Sequence, residues 1–502
     1  MTTRNDPSSA ELRQPAPPTG LLSAAERATI NFIPDTDRHG KVGQQGIFWF
    51  LSNTQPLSVA VGFLGVSLGL SVTWTIVALV AGTVFGTALM ALHASQGPHL
   101  GLPQMLQSRA QFGFRGVVIP LVAALVTFAA YTTLDSIILA LGFDSLFGVG
   151  KALTIIVTVA VAVALAAFGY DWLHRVFRWA LWVSLPLWVV LTIGVLAGGA
   201  GGTATPGSGG FSFVPFAGVF AYTASINLGY AVNVSDYSRY LPRTTSFRTV
   251  IATTYAGAAV SLIWLSALGA WMAAALGVSD GLQGISVTGN NIVNGLGSVL
   301  AVVASVALVA TMGEVLYSGS LTLLTTVSSL RSREHTPTAT GRALAAAALG
   351  VLSAVVGVLL VDRGQTAISD LILIVFYVLV PWSAINLIDY FFIRRGRYAI
   401  THLFTPDGVY GAWSRRGLIA YAAGLAAVVP FVQLSFWRGF LVDAVAGVDV
   451  SYIAGLIVAA VVYYLLARSI DTGRETAAVR ESTEELITVG LLSPATDATA
   501  PL

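Results

Sequence analysis

Two acids and three amides stand in stretches that are otherwise apolar, and they are the residues best able to do chemistry. The first long apolar segment is interrupted by Ser52-Asn53-Thr54-Gln55-Pro56, between Gly46-Ile47-Phe48-Trp49-Phe50-Leu51 and Leu57-Ser58-Val59-Ala60-Val61-Gly62. Pro56 removes a backbone donor, and Asn53 and Gln55 add amides that need partners. Such a break survives in a membrane only where it lines a cavity or binds something. Phe128, Tyr131, Thr132 and Asp135 recur at i, i+3, i+4 and i+7, one helical face. Aspartate inside a span costs about 2.5–3.5 kcal/mol, which favours an inward-facing side chain; a place near the outer surface is the alternative for Asp135. Glu314 is the second acid in an apolar stretch. It either contacts a ligand, titrates, or makes a structural hydrogen bond to a helix end or to the break. This is binding and ion-coupling chemistry. Covalent catalysis has little support: there is no cysteine, no His-Glu-x-x-His pattern, and the six histidines fall in tails, loops or segment ends.

These residues are positioned by a chain built for a bilayer. Of 502 residues, 55% are hydrophobic and 10% charged, against roughly a quarter charged in soluble domains. Twelve apolar runs, long enough to cross a bilayer as helices, are expected at 46–70, 72–93, 114–141, 151–168, 176–199, 212–234, 250–276, 292–320, 343–361, 367–393, 417–437 and 450–467. On that map 23 of the 26 basic residues fall in the tails and even-numbered loops; only Lys151, Arg363 and Arg438 fall on the other side. The positive-inside rule then puts both termini in the cytoplasm of a multi-pass cell-membrane protein. The tails, 1–40 and 469–502, read as disordered, and no signal peptide is recognised. The net charge of +2 says nothing about nucleic acid; the expected partners are a small molecule and the bilayer, not nucleic acid, with oligomeric state open.

An odd number of helices per repeat inverts the second copy, so the sixth span should echo the break in the first. Tyr222-Thr223-Ala224-Ser225-Ile226-Asn227-Leu228-Gly229-Tyr230 supplies a polar, glycine-bearing tract there, and paired interruptions mark transporter sites. The expected organisation is an N-terminal tail (1–45), a five-helix repeat (46–199), an external linker (200–211), an inverted five-helix repeat (212–393), a loop and two additional helices (394–467) and a C-terminal tail (468–502).

Several motifs in order resemble the nucleobase:cation symporter-1 family, purine-cytosine permease branch. They are Trp49-x-x-x-Asn53, Gly62-Phe63-Leu64-Gly65, then Gly69-Leu70, the stretch from Gly97-Pro98-His99-Leu100-Gly101 to Arg109-Ala110-Gln111-Phe112-Gly113, Asp236-Tyr237-Ser238-Arg239-Tyr240-Leu241-Pro242, and Ile388-Asp389-Tyr390-Phe391-Phe392-Ile393-Arg394-Arg395-Gly396. The resemblance implies an all-α, LeuT-like 5+5 inverted repeat plus two helices, importing nucleobases or related heterocycles by alternating access with Na⁺ or H⁺. A planar heterocycle needs aromatic faces and amide or carboxylate partners. The implied substrate set is therefore Asn53, Gln55, Phe128, Tyr131, Thr132, Asp135, Ser225, Asn227, Tyr230, Thr311, Met312 and Glu314. Asp135 and Glu314 replace or adjoin amides of related permeases, and Asn227 replaces an aromatic, leaving Tyr131 or Tyr230 to stack. Ser225 and Gly229 permit close backbone approach to the ligand. Ala301, Ala304 and Ser305, with carbonyls near Trp49 to Ser52, are the implied Na⁺ site; proton coupling through Glu314 or Asp135 is the alternative. No resident cofactor is implied. A cationic or amine-bearing substrate remains open, as do, more remotely, a channel and a membrane enzyme. Asp236 and Arg239, three apart, are expected to pair at the end of a helix.

Overall fold

The computed structural model describes residues 30–201, 210–278, 280–331 and 338–494. The first 29 residues of the expected tail, positions 202–209 of the linker region, and the last eight residues lie outside them.

The break is real. Helix α1 (Val42–Ser52) and α2 (Pro56–Ser67) meet at a 53° bend. Pro56 opens α2 at its first position, where its missing N–H is harmless, and the Gln55 side chain accepts the Leu57 N–H at 2.7 Å. Next come α3 (Val72–Ala94), α4 (Val118–Phe147), α5 (Lys151–Phe168) and α6 (Tyr170–Leu196). The second repeat contains α7 (Phe213–Gly229), α8 (Phe247–Leu276), α9 (Gly281–Ile292), α10 (Leu296–Leu330), α11 (Ala339–Leu360) and α12 (Gln365–Ile388). Helices α13 (Arg415–Val428), α14 (Ser451–Ala467) and α15 (Thr472–Thr488) complete the chain. Among the described residues, eight helices are long and apolar enough to cross a membrane, nine with the bent pair taken as one. The other three expected spans contain the shorter helices α7, α13 and α14, of 17, 14 and 17 residues.

Four expectations need correction. The sixth span is broken, but later than its polar tract. Residues 222–229 are helical; the chain tightens into a 3₁₀ turn at Tyr230–Val232, leaves helical geometry at Asn233 (φ −133°), and restarts at Val234–Ser238. The eleventh span stops at Val428, before Pro430, and gives way to a small hairpin pairing Gln433–Leu434 with Trp437–Arg438. An unexpected helix, α9, is capped by Asp280, which accepts the Gln283 N–H at 2.7 Å. Finally, 472–488 is helical where disorder is expected. Asp471 caps that helix, and its Ala478, Val479 and Leu486 are buried with Ile30, Phe32, Leu100 and Tyr390. The Asp35 N–H donates to the Leu491 carbonyl at 3.1 Å and the Ser493 N–H to Asp35 Oδ2 at 3.1 Å, so both described chain ends lie on one side of the bundle.

The repeats dock through glycines. Gly82 and Gly86 of α3 lie against the carbonyls of Phe220 and Ala224 in α7; Gly257 and Gly269 of α8 lie against those of Gly46 and Val59 in the first span. Span two thus meets span six as span seven meets span one, the exchange that an inverted duplication produces. A Cβ at these sites would overlap backbone, which cannot yield as a side chain does. Gly86→Val and Gly269→Val should each cost about 1–3 kcal/mol or more from overpacking. Gly218→Ala, which meets open space, should cost far less. Melting temperature and size-exclusion profile of the detergent-solubilised variants check this.

Candidate functional site

The break leaves a turn of backbone groups without helical partners, and the surrounding spans supply them. The Ser52 carbonyl accepts the Tyr230 hydroxyl at 3.2 Å. Ser52 Oγ donates to Glu314 Oε2 at 2.8 Å, and Asn233 Nδ2 donates to Glu314 Oε1 at 3.5 Å. The Tyr237 hydroxyl donates to the Glu314 carbonyl at 2.9 Å. Glu314, fully buried on α10, therefore connects the break in the first span to the break in the sixth.

A second connection is made by the amides. Asn53 Nδ2 donates to Asn227 Oδ1 at 2.8 Å and to the Ala258 carbonyl at 3.0 Å; Asn227 Nδ2 donates to Thr87 Oγ1 at 2.7 Å. These bonds join α1, α3, α7 and α8. They occupy most of both side chains, so Asn53 and Asn227 act on each other before they act on any ligand. Asn53 Oδ1 and Gln55 Nε2 have no hydrogen-bond partner among the described residues.

Aromatic rings line this junction. Tyr131 and Tyr230 lie parallel, centroids 6.3 Å apart and planes 9° from coincidence, and Trp49 lies 5.3 Å from Tyr230 at 56°. Those spacings fall in the range of offset or tilted aromatic pairs. The Tyr131 hydroxyl donates to the Ser225 carbonyl at 3.0 Å. Its ring occupies the space over Gly229, where a Cβ would overlap it. The close approach allowed by Gly229 is thus made by Tyr131. Ser225 Oγ donates to the Ile372 carbonyl of α12 at 2.8 Å.

The face expected on the third span is formed within α4. Asp135 is 1% exposed and lies within α4. Its Oδ1 and the Thr132 hydroxyl are buried without a hydrogen-bond partner among the described residues. Phe128 is buried beside Gly319 of α10. Thr311 Oγ1 donates to the Ala307 carbonyl of its own helix at 3.2 Å, and Met312 is fully buried. Ser305 Oγ likewise donates to the Ala301 carbonyl at 2.7 Å, with Ala301 and Ala304 buried; its lone pairs remain as an acceptor.

The sequence does not single out Asn233 or Tyr237 as partners of Glu314, and it gives Ser52 and Trp49 no side-chain role. Asn233 carried a usable signal, since an asparagine before a short acidic turn often marks a helix restart. Toward the side of the termini, Asp236 Oδ1 accepts the Gln104 N–H at 2.8 Å, while Arg239 Nε donates to the Asp236 carbonyl at 3.3 Å. Arg109 is fully buried and donates to the Leu403 carbonyl and the Ser328 and Ser329 hydroxyls at 2.9–3.2 Å.

Broken helices beside buried acids and parallel rings are the arrangement on which transporter sites are built. Known proteins share this organisation. Mhp1, a nucleobase-cation-symport-1 family transporter solved in a closed conformation with bromovinylhydantoin bound, shares the fold at a TM-score of 0.67. That match has 19% identity and covers 94% of this chain and 98% of Mhp1. The Emericella nidulans purine-cytosine permease fcyB is 23% identical over 459 residues, 84% of each chain. YxlA of Bacillus subtilis, assigned by name to the purine-cytosine permeases, is 32% identical over 451 residues, 88% of this chain and 96% of YxlA. Residues 32–455 match the family model for permeases of cytosine/purines, uracil, thiamine and allantoin, and the chain belongs to that family of membrane transporters.

Proposed function

We propose that this chain is a cytoplasmic-membrane symporter, both termini inside, importing a nucleobase or related nitrogen heterocycle of purine or cytosine type by alternating access with Na⁺ or H⁺. The observation that carries this reading is the set of Trp49, Tyr131 and Tyr230 rings at a broken span tied to Glu314. Flat faces of that kind suit a planar ring, and the neighbouring unpaired groups of Gln55, Thr132 and Asp135 suit its polar edge. Membership in the permease family supports the same class. The charge distribution supports the orientation. Residues 46–199 and 212–393 serve as the two repeats, with 394–467 carrying the added helices and 1–45 and 468–502 facing the cytoplasm.

Coupling has two routes. A proton on Glu314 would change which bonds it accepts from Ser52 and Asn233, and so alter both breaks together. A sodium ion would use the Ser305 oxygen, the Ala301 and Ala304 face and first-span carbonyls. A second substrate reading, a cationic or amine-bearing compound, is favoured by one observation: the carboxylate of Asp135 is buried with an unpaired oxygen.

Reconstituted vesicles with separate Na⁺ and H⁺ gradients should accumulate labelled cytosine or a purine under one gradient. Passive equilibration alone would indicate a facilitator, and competition only by amines or thiamine-like compounds would replace the nucleobase reading. Asp135→Asn should weaken apparent affinity about tenfold or more if that carboxylate bonds substrate, and Glu314→Gln should alter ion dependence while the protein still inserts. Wild-type transport by both would remove them from the mechanism.

Stability should separate the two kinds of residue. Asn53→Ala strips donors from the Asn227 oxygen and the Ala258 carbonyl, and should destabilise by about 1–3 kcal/mol. Asp135→Asn removes a buried, unpaired charge and should leave the melting temperature unchanged or raise it. Thermal unfolding in detergent reads both.

A further inference from the structure

Beyond the ends of α12 and α14, on the side of the termini, charged side chains gather around a cavity. Beyond α12 a short π-helical turn, Asp389–Ile393, leads into Arg394, Arg395, Gly396 and Arg397. Asp389 is fully buried and accepts from Gln111 Nε2 at 2.6 Å, the Tyr398 hydroxyl at 2.6 Å and the Tyr463 hydroxyl at 2.7 Å, besides Arg394 Nη1. The other edge of Arg394 grips Glu475 of α15 through Nε and Nη2 at 2.9 and 2.8 Å. Arg394 is therefore fully used between two carboxylates.

Arg395 and Arg397 are not. Among the described residues neither side chain has a hydrogen-bond or ion-pair partner, and Arg397 Nε is buried in that state. Both line a cavity of about 310 Å³ with Arg394, Glu475, Phe392 and Ile470. Three arginines against Asp389 and Glu475 leave one positive charge for the cavity to meet. A phosphodiester carries one negative charge and accepts the forked donors of arginine well.

The walls indicate where that phosphodiester comes from. The membrane-crossing helix 366–393 ends at the cavity, and Ile470 follows three residues after the end of α14. Phe392 is 62% exposed, a large apolar side chain at the level where the helix emerges. Arginines set just outside the hydrocarbon beside such a ring meet lipid headgroups. We propose that this cavity binds the phosphodiester of an anionic phospholipid, held by Arg395 and Arg397, with Phe392 and Ile470 against the glycerol and upper acyl chain.

The test counts phosphatidylglycerol and phosphatidylcholine of matched chains retained by the purified full-length protein in native mass spectrometry. Wild type should prefer phosphatidylglycerol, and combined Arg395→Gln and Arg397→Gln should lower that preference by roughly fivefold per arginine without changing phosphatidylcholine. Should the double variant lose its size-exclusion peak, Arg395→Gln alone, at an exposed position, should show about half the logarithmic effect. Arg115→Gln with Arg415→Gln, two exposed arginines elsewhere, should leave the preference intact. Equal retention by wild type and site variant, or equal loss in that control, overturns the proposal. Displacement of the lipid by millimolar inorganic phosphate would assign the site to the free anion and overturn the lipid as its ligand.

Discussion

A backbone amide or carbonyl without a partner in hydrocarbon costs several kcal/mol, and breaking the first span between Ser52 and Pro56 creates a turn of them. Much of the bundle's centre answers that constraint. The Thr54 N–H returns to the Leu51 carbonyl, Thr54 Oγ1 donates to the Phe50 carbonyl at 2.7 Å, and Tyr230 reaches the Ser52 carbonyl from the other repeat. Glu314 and Asn227 then hold the side chains of the break, from α10 and α7. The partners come from three other helices, α7 with its 3₁₀ continuation, α8 and α10, so the break is completed by the assembled bundle.

The same constraint separates polar groups engaged by the protein from those without a hydrogen-bond partner among the described residues. Asn53, Asn227, Ser225 and Glu314 are engaged by protein neighbours at 2.7–3.0 Å. Gln55 Nε2, Thr132 Oγ1 and Asp135 Oδ1 are equally buried and have no hydrogen-bond partner. Buried polar groups are almost always paired, and these three are the ones that the proposed function gives to the polar edge of a substrate. Asn53 is intermediate, its Nδ2 engaged and its Oδ1 without a hydrogen-bond partner.

Most of the architecture could be read in the chain because bilayer physics writes it there plainly. Runs of about twenty apolar residues, arginines concentrated in alternate loops, and Pro56 after two amides each have one cheap interpretation. Other features were hidden for identifiable reasons. The break at Tyr230–Asn233 contains no proline and only one strongly turn-forming residue, so the polar tract before it drew attention to helical positions. Helix α15 looked like a solvated tail because its composition is charged; its order comes from Asp471, Glu475 and a few apolar residues that meet partners far away in sequence. The Ser52–Glu314 bond spans 262 positions, and no local pattern reports it.

The pairing of Asn53 also imposes an order in time. Its acceptors, Asn227 and Ala258, lie 174 and 205 residues later. At ordinary synthesis rates of about 5–20 residues per second, the second of these emerges roughly 10–40 s after the first span. During that interval the first span must reside in the membrane with its amides facing water, lipid headgroups or the insertion machinery. The broken first span is therefore completed only after part of the second repeat, as far as Ala258, has been delivered.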